Sequence, residues 1–272
     1  MGIIGVRRSV RSTAATILAA AVTITAAITG TGTAQAVAAD YVALGDSYAS
    51  GVGTRTYISG SGSCQRSIYA YPYLDASRIG ANLTFQACSG ARVADVSNNQ
   101  LGPLNNGIEL VTVQVGGNDA GFSTVITECA KPWWAGNCGA AINNAQNVIN
   151  NTLPGRLDGL YGNIRSRAPN ARVVVVGYPR LFNGIDCNAG TWFSGAEMTR
   201  LNQTADLLNA KINSRASAAG FRFVNPTQVF IGHAVCGNPE WINGLSNPIT
   251  ESYHPNRTGQ TGYADLVDDQ LL

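Results

Sequence analysis

Five apolar runs, set apart by stretches long enough to hold helices, constrain this chain more than any other feature. They are "YVALG" (41–45), "LTFQA" (83–87), "IELVTVQVGG" (108–117), "RVVVVGYP" (172–179) and "FRFVNP" (221–226). Near-continuous Val, Ile and Leu marks a strand covered on both faces, which is how parallel strands sit. Between the last two runs Met198, Leu201, Ala205, Leu208 and Ile212 recur at spacings of three and four, one face of an amphipathic helix, and Gly220 is expected to close it as a C-cap. The alternation predicts an α/β chain folded as a three-layer α/β/α sandwich around a mostly parallel sheet of about five strands. In such sheets the loops leaving the carboxyl ends of the strands form the binding crevice.

The chain has 272 residues, 45% of them hydrophobic and 12% charged, enough to bury a substantial core and too few charges for a disordered or strongly basic protein. Its first 36 residues read as something to be removed. Arg7, Arg8 and Arg11 precede an Ala-rich apolar stretch over about residues 13–28, which ends at Ala34-Gln35-Ala36. A charged start, an apolar middle and a small-x-small site predict a secretory signal peptide over residues 1–36 and a single domain over 37–272. The rival is a membrane anchor, but the stretch is Ala and Thr rather than Leu and Ile, so no stable membrane anchor is expected and the mature chain is expected outside the cell.

Removing the three leader arginines leaves 15 basic and 16 acidic residues, a net charge of 15 − 16 = −1. No Lys/Arg cluster remains to track phosphates, so nucleic acid is excluded as a partner. A monomer is expected. Cys64, Cys88, Cys129, Cys138, Cys187 and Cys236 all follow the leader, and an even count in an oxidising compartment reads as three disulfides. Pairing each cysteine with its sequence neighbour (Cys64–Cys88, Cys129–Cys138, Cys187–Cys236) closes three local loops and is the expected connectivity among the fifteen that six cysteines allow. With no C-x-x-C pair, and His233 and His254 as the two histidines, no metal is expected.

Four residues with chemical potential fall just after strands. Ser47 follows the first run, Gly90 the second in "ACSGARVAD", Asn118 the third in "QVGGNDAGF", and His254 lies in "TESYHPN" beyond the last. Singly, each has an ordinary explanation: a helix cap, a turn glycine, a turn asparagine, a histidine before proline. Together they supply what acyl transfer requires, namely a hydroxyl nucleophile, an imidazole base and donors for a tetrahedral oxyanion.

The wording and order of these blocks resemble the SGNH hydrolases, also called the GDSL family. Gly45-Asp46-Ser47 resembles the first block, Gly90 the second, Gly116-Gly117-Asn118-Asp119 the third and His254-Pro255 the last. The leader, the six cysteines and "GHAVCGNPEWING" (232–244) are similar to the extracellular lipases, esterases and phospholipases A1 of actinobacteria. The resemblance implies Ser47 as nucleophile, His254 as general base and then acid, and an oxyanion hole made by the Ser47 and Gly90 main-chain N–H groups with the Asn118 side-chain amide. It implies no cofactor.

Two positions depart from the family pattern. Tyr48 replaces the Leu of the eponymous block, a packing position. Glu251 stands where the family's usual Asp would orient the histidine; the main-chain carbonyl of Ser252 is the favoured acceptor instead, with Glu251 the alternative. No Gly-x-Ser-x-Gly occurs, so the nucleophile elbow of the α/β-hydrolase fold is absent.

Other candidates carry less. His233, beside Cys236, reads as structural or as part of a substrate rim. Asp46 and Asp119 are expected to hold loop backbone, with a glycosidase-like carboxylate pair as the rival. Phe122, Trp133, Trp134, Trp192 and Phe193 sit on connections and are expected either to line an acyl groove or to pack disulfide loops. The function expected is a secreted serine esterase acting on lipid or other ester substrates by an acyl-enzyme on Ser47. A carbohydrate acetyl esterase is the second enzyme reading, and a non-catalytic binding protein on the same scaffold the third.

Overall fold

The computed structural model describes residues 1–3, 5, 9 and 38–272, and the fold resides in the unit Val37–Leu272. The signal peptide expected over residues 1–36 lies almost wholly outside the described residues. Five strands form one sheet: β1 (Asp40–Gly45), β2 (Asn82–Phe85), β3 (Leu110–Gln114), β4 (Arg172–Val176) and β5 (Arg222–Val224). The order is β2-β1-β3-β4-β5, and every neighbouring pair is parallel. The first crossover therefore runs one way from β1 and the later ones the other way, which opens a crevice at the carboxyl ends of β1 and β3.

Each strand falls on one of the apolar runs, with β1 and β2 starting one residue earlier and the others lying within their runs. The run 108–117 contributes only Leu110–Gln114, because the Gln114 carbonyl accepts from Asp46 N (2.9 Å) and the chain then turns into the crevice. Val173, Val174, Val175 and Val176 of β4 are all buried, as their sequence requires. Each such side chain contributes about 1.5–3 kcal/mol by leaving water.

Among the described residues eight α-helices complete the layers: α1 (Ser47–Ser50), α2 (Tyr71–Ile79), α3 (Val93–Asn99), α4 (Phe122–Ala130), α5 (Cys138–Asn151), α6 (Leu153–Arg167), α7 (Gly195–Ala218) and α8 (Arg257–Leu271). α2 and α8 pack on each other over one face of the sheet, while α3, α5, α6 and α7 pack among themselves on the other. α7 starts with a capping box, Ser194 with Glu197, and buries Met198, Leu201, Leu208 and Ile212. Ala205 of the same stripe is only half-buried, because it lines a cavity rather than the core. Ala219 is the cap of this helix, and Gly220 follows one residue later than expected.

The three disulfides join Cys64 to Cys88, Cys129 to Cys138 and Cys187 to Cys236, which leaves no free thiol. Among the described residues, no helix is long and apolar enough to cross a membrane.

Candidate active site

Ser47 is the first residue of the one-turn helix α1, directly beyond β1. Asp46 caps that turn, its carboxylate accepting from Tyr48 N (3.0 Å). The same carboxylate accepts from the Tyr178 hydroxyl at 2.5 Å, and that hydroxyl in turn accepts from Gly117 N at 3.3 Å. Burial pushes the Asp46 carboxyl up to about 7, against the lowering effect of its bonds from Tyr178 and Tyr48. Asp119 accepts from Val93 N at 2.9 Å and pairs with Arg156 at 2.8 Å. Both aspartates are thus occupied in tying the blocks together.

The structure brings Ser47 and His254 together across 207 residues of sequence: Ser47 Oγ lies 2.8 Å from His254 Nε2. The other ring nitrogen, Nδ1, lies 2.9 Å from the main-chain oxygen of Ser252. Glu251 is turned elsewhere. It is buried, and its carboxylate accepts the hydroxyl of Tyr57. Burial pushes the His254 pKa down from its ordinary 6.5 to about 4, with the bond to Ser252 acting weakly the other way, so the imidazole is neutral over the physiological range.

The donors expected for an oxyanion flank this pair. Among the described residues the main-chain N–H groups of Ser47 and Gly90 have no acceptor. Ser47 N is one of the orphan donors that a helix N-terminus leaves free. Gly90 has φ +79°, a left-handed conformation that a side chain would strain, although nothing lies within 4 Å of where its Cβ would be. Its loop is fixed by the Cys64–Cys88 bridge and by Ser89 N bonding Cys64 O at 3.1 Å. Asn118 Nδ2 donates to Ala91 O at 3.0 Å, which spends one of its two hydrogens and orients the second.

Sequence reasoning missed what holds the histidine. Tyr48 does more than pack: its hydroxyl donates to Tyr253 O at 2.7 Å, and its ring centroid lies 5.2 Å from that of His254. Tyr253 has φ +59°, a conformation that costs a non-glycine residue about 1–2 kcal/mol. Asn243 joins both sides of the crevice, donating from Nδ2 to Gly53 O (2.9 Å) and exchanging main-chain bonds with Tyr253 N and His254 O (2.9 Å each). A Cβ on Gly53 would sit 2.4 Å from Pro255 O and 3.0 Å from His254 Cβ. His233 lies outside the site, stacked on Trp241 at 4.0 Å with Nδ1 2.8 Å from Pro239 O.

Beside Ser47 and Asn118 opens a cavity of about 80 Å³. Phe122, Val125 and Ile126 of α4, Ile149 of α5, and Leu201 and Leu208 of α7 form its apolar side. Of the five aromatics expected on connections only Phe122 lines it, and it is the first residue of α4 rather than part of a loop; Phe193 is buried and Trp133, Trp134 and Trp192 are exposed, all of them outside the cavity.

Comparison with known proteins agrees with this fold. Residues 43–261 match the GDSL-like Lipase/Acylhydrolase family. Lipase 1 of Streptomyces coelicolor is 46% identical over 244 residues, 87% of this chain and 90% of that one. The crystal structure of an extracellular lipase from Streptomyces rimosus superposes with a TM-score of 0.80 at 45% identity, covering 86% of this chain and all of that one. The structure of phospholipase A1 from Streptomyces albidoflavus NA297 gives 0.81 at 44% identity, with the same coverage. A match over most of the chain, with strand-end residues arranged as the motif requires, makes this protein a member of the GDSL-like lipase/acylhydrolase family.

Proposed function

We propose that the protein is a secreted esterase that cleaves carboxylic esters of lipids through an acyl-enzyme on Ser47. The observation that carries this reading is the 2.8 Å contact between Ser47 Oγ and a neutral His254, at the mouth of an apolar cavity. The His254 imidazole takes the Ser47 proton on Nε2 as Oγ attacks the ester carbonyl carbon. The oxygen that becomes negative meets Ser47 N–H, Gly90 N–H and the free hydrogen of Asn118 Nδ2. The imidazolium then gives its proton to the departing alcohol oxygen. Water, deprotonated by the same nitrogen, releases the acid and restores the serine.

The Ser252 carbonyl takes the part that a carboxylate plays in a triad. Nδ1–H donates to it, which fixes the tautomer with a bare Nε2 facing Ser47. A carbonyl carries no full charge, so it steadies the imidazolium less than a carboxylate would.

Lipid is favoured over acetylated carbohydrate because, away from Ser47, Asp46 and Asn118, the cavity is lined mainly by apolar side chains such as Phe122, Val125, Ile149 and Leu208, which suit an alkyl chain better than a sugar. The named relatives, two lipases and a phospholipase A1, support the same substrate class. The test is hydrolysis of p-nitrophenyl esters of increasing acyl length, beside a phosphatidylcholine and an acetylated xylan. Medium and long acyl chains are expected to give the higher kcat/KM, with the phospholipid cleaved and the xylan left intact. Preference for acetyl over every longer chain would overturn the lipid reading.

A further inference from the structure

Three tryptophans stand out from the folded surface: Trp133 is 85% exposed, Trp134 70% and Trp192 54%. Large aromatic side chains left in water on a rigid frame mark a surface that something covers. The frame here is rigid. Trp133 and Trp134 sit edge to face, ring centroids 5.7 Å apart, on the turn between α4 and α5. That turn is closed by Cys129–Cys138, by Ala135 N and Gly136 N on Pro132 O, and by Glu128, which takes Lys131 Nζ on one oxygen and Asn137 N on the other. Trp192 joins the same end of α4, its N–H donating to Ala130 O at 3.1 Å. Its own segment is braced by Asp186, which accepts from Thr191 Oγ1 and Phe193 N.

Two observations say what covers this surface. The first is continuity with the site: α4 and α5, whose connection carries Trp133 and Trp134, also wall the cavity at Ser47, and Phe193, next to Trp192, packs 5.8 Å from Tyr253 beside the histidine. The second is charge. On the two segments that carry the tryptophans, 131–137 and 183–193, the one cation is Lys131, and Glu128 neutralises it, so these segments offer an anionic partner no unpaired cation. Indole rings bury an apolar body while keeping an N–H in contact with water, the behaviour that concentrates Trp at lipid headgroups.

We propose that Trp133, Trp134 and Trp192 seat the enzyme on the surface of aggregated zwitterionic lipid, with the Ser47 crevice held against its substrate. This rests on the lipid-esterase reading above. The attachment is by aromatic burial, without a spanning helix and without electrostatic attraction.

The experiment uses phosphatidylcholine vesicles and a Ser47→Ala chain, so that no lipid is consumed during binding. Cosedimentation is expected, with quenching of tryptophan fluorescence by brominated phosphatidylcholine. Adding Trp133→Ser with Trp134→Ser should lower the partition coefficient at least about tenfold, in line with the apolar area withdrawn from the lipid, and Trp192→Ser about threefold. In the Ser47 chain the same changes should lower kcat/KM on the vesicles by the same factors. Turnover of a dissolved short-chain p-nitrophenyl ester should stay within about twofold, which also reports correct folding. Vesicle binding unaltered by the tryptophan changes would overturn the proposal. So would binding that requires anionic phosphatidylglycerol, or a tryptophan-dependent dimer in sedimentation velocity. Failure of the parent on dissolved and aggregated esters alike would overturn the esterase reading, and this inference with it.

Discussion

The two halves of the Ser47–His254 contact are held by different kinds of structure. Ser47 stands at the end of a central strand paired on both sides, and its turn continues main-chain bonding: Asp46 N to Gln114 O, Ser50 N to Asp46 O, Val52 N to Ser47 O. His254 lies in the irregular run between β5 and α8, where a short antiparallel bridge ties residues 253–256 to residues 241–243 but not to the central sheet. What ties that run to the nucleophile's side of the crevice is a few side chains: the Tyr48 hydroxyl on Tyr253 O, Asn243 Nδ2 on Gly53 O, and Tyr57 on Glu251. A strand end fixed by many main-chain bonds tolerates the loss of any one side chain. A histidine segment joined to the nucleophile's side by three side-chain bonds should register each of them.

The largest effect should be blind to that difference. Ser47→Ala and His254→Ala should each lower kcat by about 10⁴–10⁶, and the double variant by little more, because parts of one relay are not additive. Losses that multiply would separate the two residues functionally. Asn118→Ala comes next, at about 10²–10³ in kcat with KM little changed, the usual result of removing one oxyanion donor. Steady-state kinetics on a dissolved ester would show both.

The pH profile isolates the histidine half. With its pKa lowered by burial to about 4, His254 should lose activity only below that value, kcat/KM falling about tenfold per pH unit, and not around its ordinary 6.5. Stability follows the same sign. Between 6.5 and 4 the folded chain binds fewer protons here than the unfolded chain, so the contribution is present above about 6.5 and disappears as pH falls through 4. An acid limb at 6.5 in the pH–rate profile would contradict the burial seen here.

Two finer changes bear directly on the contrast. Tyr48→Phe keeps the ring but deletes the bond to Tyr253 O, and should lower kcat about three- to tenfold with KM unchanged, as the loss of one net hydrogen bond of 0.5–1.5 kcal/mol implies. Ser50→Ala, at the nucleophile's end, removes a bond to Ser47 O that main-chain bonds to the same oxygen back up, and should change kcat less than about twofold. Equal effects at both ends would break the comparison. Smallest of the histidine-side changes should be Glu251→Gln, which retains an acceptor for Tyr57 and should leave kcat within about threefold, whereas loss of a true triad carboxylate costs on the order of 10⁴.

The same division decides how much could be read from sequence. The strands were legible because parallel strands buried on both faces must be apolar where they are covered, as "VVVV" (173–176) is, and the residues at their ends followed from the architecture. The disulfides were legible because each joins neighbours in sequence. The supports of His254 were not. Tyr57 and Glu251 are 194 residues apart, Tyr48 and Tyr253 are 205 apart, and a tyrosine gives no local sign of which distant carbonyl or carboxylate its hydroxyl will meet. Glu251 illustrates the gap: its position relative to His254 suggested a catalytic acceptor, and only the fold shows its side chain turned toward Tyr57.

At Gly53 the main chain of the nucleophile's segment lies against the main chain of the histidine's, so close that even one methyl group would collide with the Pro255 carbonyl. The gap between Ser47 and His254 is therefore gauged by two backbones in contact rather than by the sizes of the side chains around them. Side chains lining the crevice can be exchanged to suit different esters without altering that gauge. A residue other than glycine at position 53 would act as a shim, widening the relay whatever else in the crevice stayed the same.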